Sequence, residues 1–115
     1  MGVSYIDKVL NATEHTESNT DIHISSEVDR VYRSIPQDTT TIKTNGKPYI
    51  DVTRDNLPDT VVWNPWIAKS KTMSDFQPQD GYKTMVCVEV GSVNGWQKLE
   101  AGDSFEAGMV AKAHI

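Results

Sequence analysis

Cysteine is nearly missing from this chain: Cys87 stands alone, so no internal disulfide can form. It sits in an apolar run, where a free thiol behaves as a small hydrophobe, and a reducing, cytoplasmic setting is the expectation. Basic charge is also short, with 11 Lys and Arg against 16 Asp and Glu. A net charge of -5 repels polyanions, which argues against nucleic acid as a partner. No apolar stretch approaches the roughly 20 residues that cross a bilayer, and the amino terminus lacks a basic-then-apolar signal, so no membrane association is expected. There is no glycine-rich phosphate loop, and His15, His23 and His114 lack the spacing of a ligand set. Neither a metal nor a cofactor is expected.

Hydrophobic residues make up only 37% of 115 positions, little for a domain that must bury its own core. Aromatics are present, however. Trp63, Trp66 and Trp96 join Tyr5, Tyr32, Tyr49, Tyr82, Phe76 and Phe105, which excludes a disordered chain.

Short strands separated by turn signals dominate the pattern, and no convincing long helix interrupts them. Val3 to Ile6 is strand-like, and Leu10 to Ser26 is polar enough to read as a long surface loop, within which Ile22 and Ile24 alternate with His23 and Ser25 as in a half-buried strand. Val28 to Ile35 predicts another strand, stopped by Pro36. Asn45-Gly46, flanked by Thr39 to Thr44 and Lys47 to Thr53, predicts a hairpin, with Pro48 placing its second strand at an edge or starting it late. Thr60 to Trp63 reads as a short buried strand. A single helical turn fits around Ala68 to Met73. Tyr82 to Val90 is the strongest strand pattern, Ala101-Gly102-Asp103 a turn, and Ser104 to Ala111 a last strand. The fold class is therefore all-β, a sandwich or part of one.

Glu89 is the most unusual residue by its setting, since Met85-Val86-Cys87-Val88 precedes it and Val90 follows. Alternation puts Met85, Cys87 and Glu89 on one face. If that face is covered, desolvation raises the carboxyl towards the range of a general base; if not, Glu89 is an ordinary acid at the solvent end of a strand. Asp29, within Glu27-Val28-Asp29-Arg30-Val31-Tyr32, is either a ligand or the ion-pair partner of Arg30 or Arg33. Trp63 and Trp66 flank Asn64-Pro65, and indoles beside amides suit the C–H faces and hydroxyls of sugars, although tryptophan in an apolar strand also serves as core.

The run Asn56 to Ser70, with "LPDTVVWNPW" at its centre, continues through Met73-Ser74-Asp75-Phe76 to Tyr82, Met85 and Cys87-Val88-Glu89. It closely resembles the hexose-6-phosphate mutarotase branch of the aldose 1-epimerase superfamily, which includes the plant apospory-associated protein C. The resemblance spans nearly all of this chain and about the last two fifths of a family member. It implies that residues 1–115 are one partial domain, the carboxy-terminal portion of a galactose-mutarotase-like β-supersandwich. It implies glucose-6-phosphate 1-epimerase chemistry without a cofactor, acting on hexose 6-phosphates, with the general base falling on Glu89 and a substrate hydroxyl ligand on Asp29. The family's catalytic histidine and phosphate-holding arginines have no counterpart here. A non-catalytic carbohydrate-binding fragment, or a split or truncated copy that needs a partner chain, is the alternative. Open sheet edges predict self-association or pairing with an amino-terminal part.

Overall fold

A computed structural model describes residues 2–115 and shows two antiparallel sheets. The first runs in the order β2 (Thr13–Thr16), β1 (Ser4–Asp7), β3 (Val28–Tyr32), β6 (Asp59–Asn64), β7 (Cys87–Gly91). The second joins β4 (Thr39–Thr44), β5 (Lys47–Asp55) and β8 (Gly108–Ala113). A seven-residue helix α1 (Trp66–Thr72) and a 3₁₀ helix (Gln79–Thr84) lie between β6 and β7. The all-β expectation holds, and so does the helical turn around Ala68 to Met73.

Asn45 and Gly46 carry φ of 53° and 75°, the paired positive values that a two-residue hairpin turn needs. Beyond the turn, Lys43 faces Pro48 whereas Ile42 faces Ile50, so Tyr49 is the extra residue of a bulge. Pro48 does not make β5 an edge strand, because β8 pairs with it on the other side. That pairing begins only at Ile50, so the proline lies where a second neighbour has not yet arrived.

Four expectations need correction. The polar loop from Leu10 to Ser26 contains β2, which pairs Thr13 to Thr16 with Asp7 to Ser4. An edge strand satisfied through its backbone needs no apolar alternation, which is why its pattern is silent. Ile22 to Ser25 is not a strand; Ile24 instead packs singly against the core. Tyr82 to Thr84 is helical and the strand starts only at Cys87. The Asn64 side-chain amide donates to the carbonyls of Tyr82 (2.9 Å) and Met85 (3.0 Å), and β6 ends at Asn64, so no ladder partner remains for the earlier residues. The last strand is likewise shifted from Ser104–Ala111 to Gly108–Ala113. The turn ahead of it forms as expected, with the Asp103 N–H donating to the Glu100 carbonyl.

Register divides the five-stranded sheet into two faces. Tyr5, Tyr32, Val28 and Val62 share one face, where Val28, Tyr32 and Val62 form the buried cluster with Val3, Ile24, Ile35 and Val86 against it. Asp29, Val31, Val61, Trp63, Cys87 and Glu89 share the other.

Candidate active-site face

β6 is the central strand of the site, with β3 and β7 on its two sides. Asp29 lies opposite Trp63, which lies opposite Cys87; two residues along, Val31 lies opposite Val61, which lies opposite Glu89. Directly opposed residues in an antiparallel ladder project to the same side, so these six side chains form two rows on one surface. Ile6, opposite Val31, extends the second row. The result is an apolar strip bearing one carboxylate at each diagonal corner. Two strand spacings of about 4.8 Å and two residue rises of about 3.3 Å put the Asp29 and Glu89 backbones roughly 12 Å apart.

Glu89 is exposed, so the condition for its desolvation is not met in this chain. Its charge nevertheless reaches its neighbour: burial pushes the Cys87 thiol above its ordinary value, and the nearby Glu89 carboxylate pushes it further. Asp29 is partly buried. The alternative that Asp29 is spent on an arginine is overturned. Arg30 points to the opposite face, with Nε 3.3 Å from Asp7 and an Nη 3.7 Å from Glu17, while Arg33 pairs with Glu14 at 2.7 Å.

The two candidate tryptophans have separate fates. Trp63 is partly buried within the Asp29–Cys87 row. Trp66 turns the corner into α1, its ring edge-on to Tyr82 at 5.0 Å and its N–H donating to Asn64 Oδ1 at 2.8 Å. Its φ of 56° is unusual for a bulky side chain, and the Asn64 bond helps hold it there.

The histidines do not join this face. His15 lies opposite Tyr5, stacks on its ring at 5.4 Å and bonds Thr13 at 2.7 Å; His23 lines a cleft of about 480 Å³ with Glu17 and Arg30; His114 bonds Asp51 in the second sheet. Among the described residues no cluster of three or more His, Cys, Asp or Glu could hold a metal, and no helix is long and apolar enough to cross a membrane.

Two polar residues of the "LPDTVVWNPW" run escaped the sequence reading. Asp59, 2% exposed, accepts from the N–H groups of Ser34 (3.1 Å), Val93 (3.0 Å) and Asn94 (3.0 Å). Asn64, 1% exposed, makes the three bonds already described. They clamp the two ends of β6 and so hold Val61 and Trp63 in register. Their only sequence signal is a polar residue at each boundary of an apolar strand.

Residues 3–112 match the family described as Aldose 1-epimerase. The chain belongs to that family. Candidate glucose-6-phosphate 1-epimerases are similar to it: 36% identity with one from Cenchrus ciliaris over 96% of this chain, and 37% with one from Escherichia coli K12 over 86%. A Salmonella typhimurium relative with the same description is 38% identical over 77% of the chain. This aldose 1-epimerase family chain spans about a third of the length of these relatives (33%, 33% and 30%).

Proposed function

We propose that this chain supplies the base and one sugar ligand of a glucose-6-phosphate 1-epimerase, which interconverts the α and β anomers of hexose 6-phosphates. The observation that carries this reading is the placement of Asp29 and Glu89 at opposite corners of one apolar strip. Glu89 takes the proton of the anomeric hydroxyl, an acid protonates the ring oxygen, and the ring opens to an aldehyde. Rotation about C1–C2 and reclosure give the other anomer. Proton transfers suffice for this sequence, so it calls for no metal or redox cofactor. Asp29, an acceptor when ionised, orients hydroxyls that do not react.

The acid and the phosphate-holding cations come from another polypeptide segment in this scheme, with residues 1–115 acting as one partial domain. The similarity to relatives described as glucose-6-phosphate 1-epimerases supports the substrate, and the lone Cys87 accords with a reducing cytoplasm. Mixing the chain with the amino-terminal two thirds of the Cenchrus ciliaris relative tests it. Anomerisation of glucose 6-phosphate, followed by polarimetry, should appear only with both pieces present. A folded, associated pair without turnover would reject the reading.

A second reading is favoured by one feature, the location of His15 and His23 away from the Asp29–Glu89 face. In it the chain binds carbohydrate without turning it over. Sugar binding by the mixed pieces, with no anomerisation, is its signature.

A further inference from the structure

We infer that two copies of this chain pair through the free edge of β8, antiparallel about a two-fold axis at Ala111, to form one continuous six-stranded sheet. The inference goes beyond the proposed epimerase reading and does not depend on it, because β8 belongs to the second sheet and the Asp29–Glu89 face to the first.

One bond fixes which way the backbone groups of β8 point. The His114 N–H donates to the Tyr49 carbonyl at 2.9 Å, and these two residues continue the register that sets Ala113 opposite Ile50. Hydrogen-bonded pairs alternate with unbonded ones in an antiparallel ladder. Gly108, Val110, Lys112 and His114 therefore address β5, while Met109, Ala111 and Ala113 direct their N–H and C=O groups outward. β8 ends the order β4-β5-β8, so no strand among the described residues meets those groups. A register that sets Ala111 opposite Ala111 of the second copy also sets Met109 opposite Ala113 twice over, and all six outward-facing residues pair. A slip of two residues in either direction leaves one of the three without a strand residue to meet.

The side chains suit this register. Ala111 and Ala113 are exposed and small enough to let two backbones approach, and Met109, 51% exposed, lands against Ala113 of the second copy with Ile50 behind it. On the reverse face, Lys112 is directed towards the start of the second copy's β8, where Gly108 offers no side chain and Asp55 stands opposite that glycine. Neither Lys112 nor Asp55 joins an ion pair within one copy among the described residues. Asp51, opposite Lys112 in its own sheet, is already bonded to Thr41 and His114. Antiparallel pairing thus brings an unspent cation towards an unspent anion on each side of the axis.

The other edges are less fit for a symmetric pair. β4 carries the bulge between Ile42 and Lys43, β2 has only four residues, and the middle residue of β7 is Glu89, which a two-fold axis would set against its own copy.

Sedimentation velocity on the 115-residue chain, from about 5 μM to about 1 mM, should show a monomer–dimer equilibrium that stops at two copies. Amide hydrogen exchange supplies the signature: Met109, Ala111 and Ala113 should gain protection as concentration rises, whereas Val110 and Lys112, already bonded to β5, should change little. Ala111→Pro removes the N–H at the axis, a donor that β5 does not use, and Ala111→Glu opposes two carboxylates there. Each should weaken dimerisation at least about tenfold with the circular dichroism spectrum kept. Should Ala111→Pro disturb the fold, Ala111→Glu, at an exposed position, still decides the matter. A monomer at every concentration, a dimer that these variants leave intact, or protection gained at β7 or β2 instead would overturn the pairing. Addition of the amino-terminal two thirds of the Cenchrus ciliaris relative tests the other occupant. If that segment protected the same three amides in a chain that shows no self-association, the edge would belong to it and the symmetric pair would be wrong. Turnover of glucose 6-phosphate is measured separately in each mixture, so the epimerase reading stands or falls on its own.

Discussion

Asp29 and Glu89 stand on one face of one sheet, yet roughly 12 Å apart, on strands that never touch. Carboxylates at that distance cannot share a proton as a close dyad does, so the proposed function gives each a task of its own. With β6 between them, the separation leaves space for a ring instead of a water-sized reactant. In the proposed function this geometry divides binding from proton transfer, and mutation can separate the two.

The chain by itself should turn over glucose 6-phosphate far more slowly than full-length relatives. Proton donation to the ring oxygen requires a positioned acid, and His15 projects from the opposite face of the sheet and stacks on Tyr5. Loss of a general acid lowers rates by about 10²- to 10⁴-fold. A coupled anomer-specific assay on the purified chain measures this, and turnover at the level of the relatives would show that another group serves as the acid.

Stability should fall in acid through Glu17. Burial works against its charge, but the Tyr32 hydroxyl at 2.7 Å, the Asn19 N–H and the Arg30 charge outweigh it and hold Glu17 below its ordinary 4.5. A carboxyl depressed in the folded state contributes stability above the unfolded value, and that contribution disappears as the pH falls through the folded one. Tyr32→Phe removes the strongest neutral donor and should cost about 2 kcal/mol at neutral pH, with the acid transition moved to higher pH. Thermal melts between pH 3 and pH 7 would reveal it. An unchanged profile would mean that Arg30 and Asn19 alone fix the ionised state.

Asp59→Ala should destabilise the fold by about 3 kcal/mol, because it leaves the N–H groups of Ser34, Val93 and Asn94 without their acceptor. Asp59→Asn retains one carbonyl oxygen and should fall between the parent and the alanine variant. Urea denaturation gives the ranking. Equal midpoints for all three would show that water replaces the carboxylate and that Asp59 does not clamp β6.

Hydrophobic alternation and turn chemistry made much of this fold legible. Asn45-Gly46 announced the β4–β5 hairpin, and the Val-rich runs announced β3 and β6, because each is a local rule acting on adjacent residues. β2 escaped since Thr13 to Thr16 bury no apolar face and are specified by the neighbouring strand β1. The start of β7 escaped because Asn64, 21 residues before Met85, captures that residue's carbonyl. On the site, strand parity put Cys87 and Glu89 on one face, whereas the alignment of Asp29 with Trp63 depends on the β3–β6 register and has no local signature.

Glu89→Gln and Asp29→Asn should fail differently once the chain is joined to the amino-terminal part of a close relative. Glutamine keeps the size of Glu89 and one acceptor oxygen but cannot take a proton, so turnover should fall by about 10²- to 10⁴-fold while KM changes little. Because Glu89 is exposed, the same substitution should alter folding stability by no more than about 0.5 kcal/mol, which separates a chemical defect from a structural one. In the proposed function Asp29 serves unreacting hydroxyls in ground and transition states alike, so asparagine at position 29 should raise KM with kcat largely kept. Steady-state kinetics on both variants, with circular dichroism as the folding control, draws the distinction. Normal turnover in Glu89→Gln would mean that Glu89 is only a surface residue at the edge of the sheet, and the base would have to be sought elsewhere.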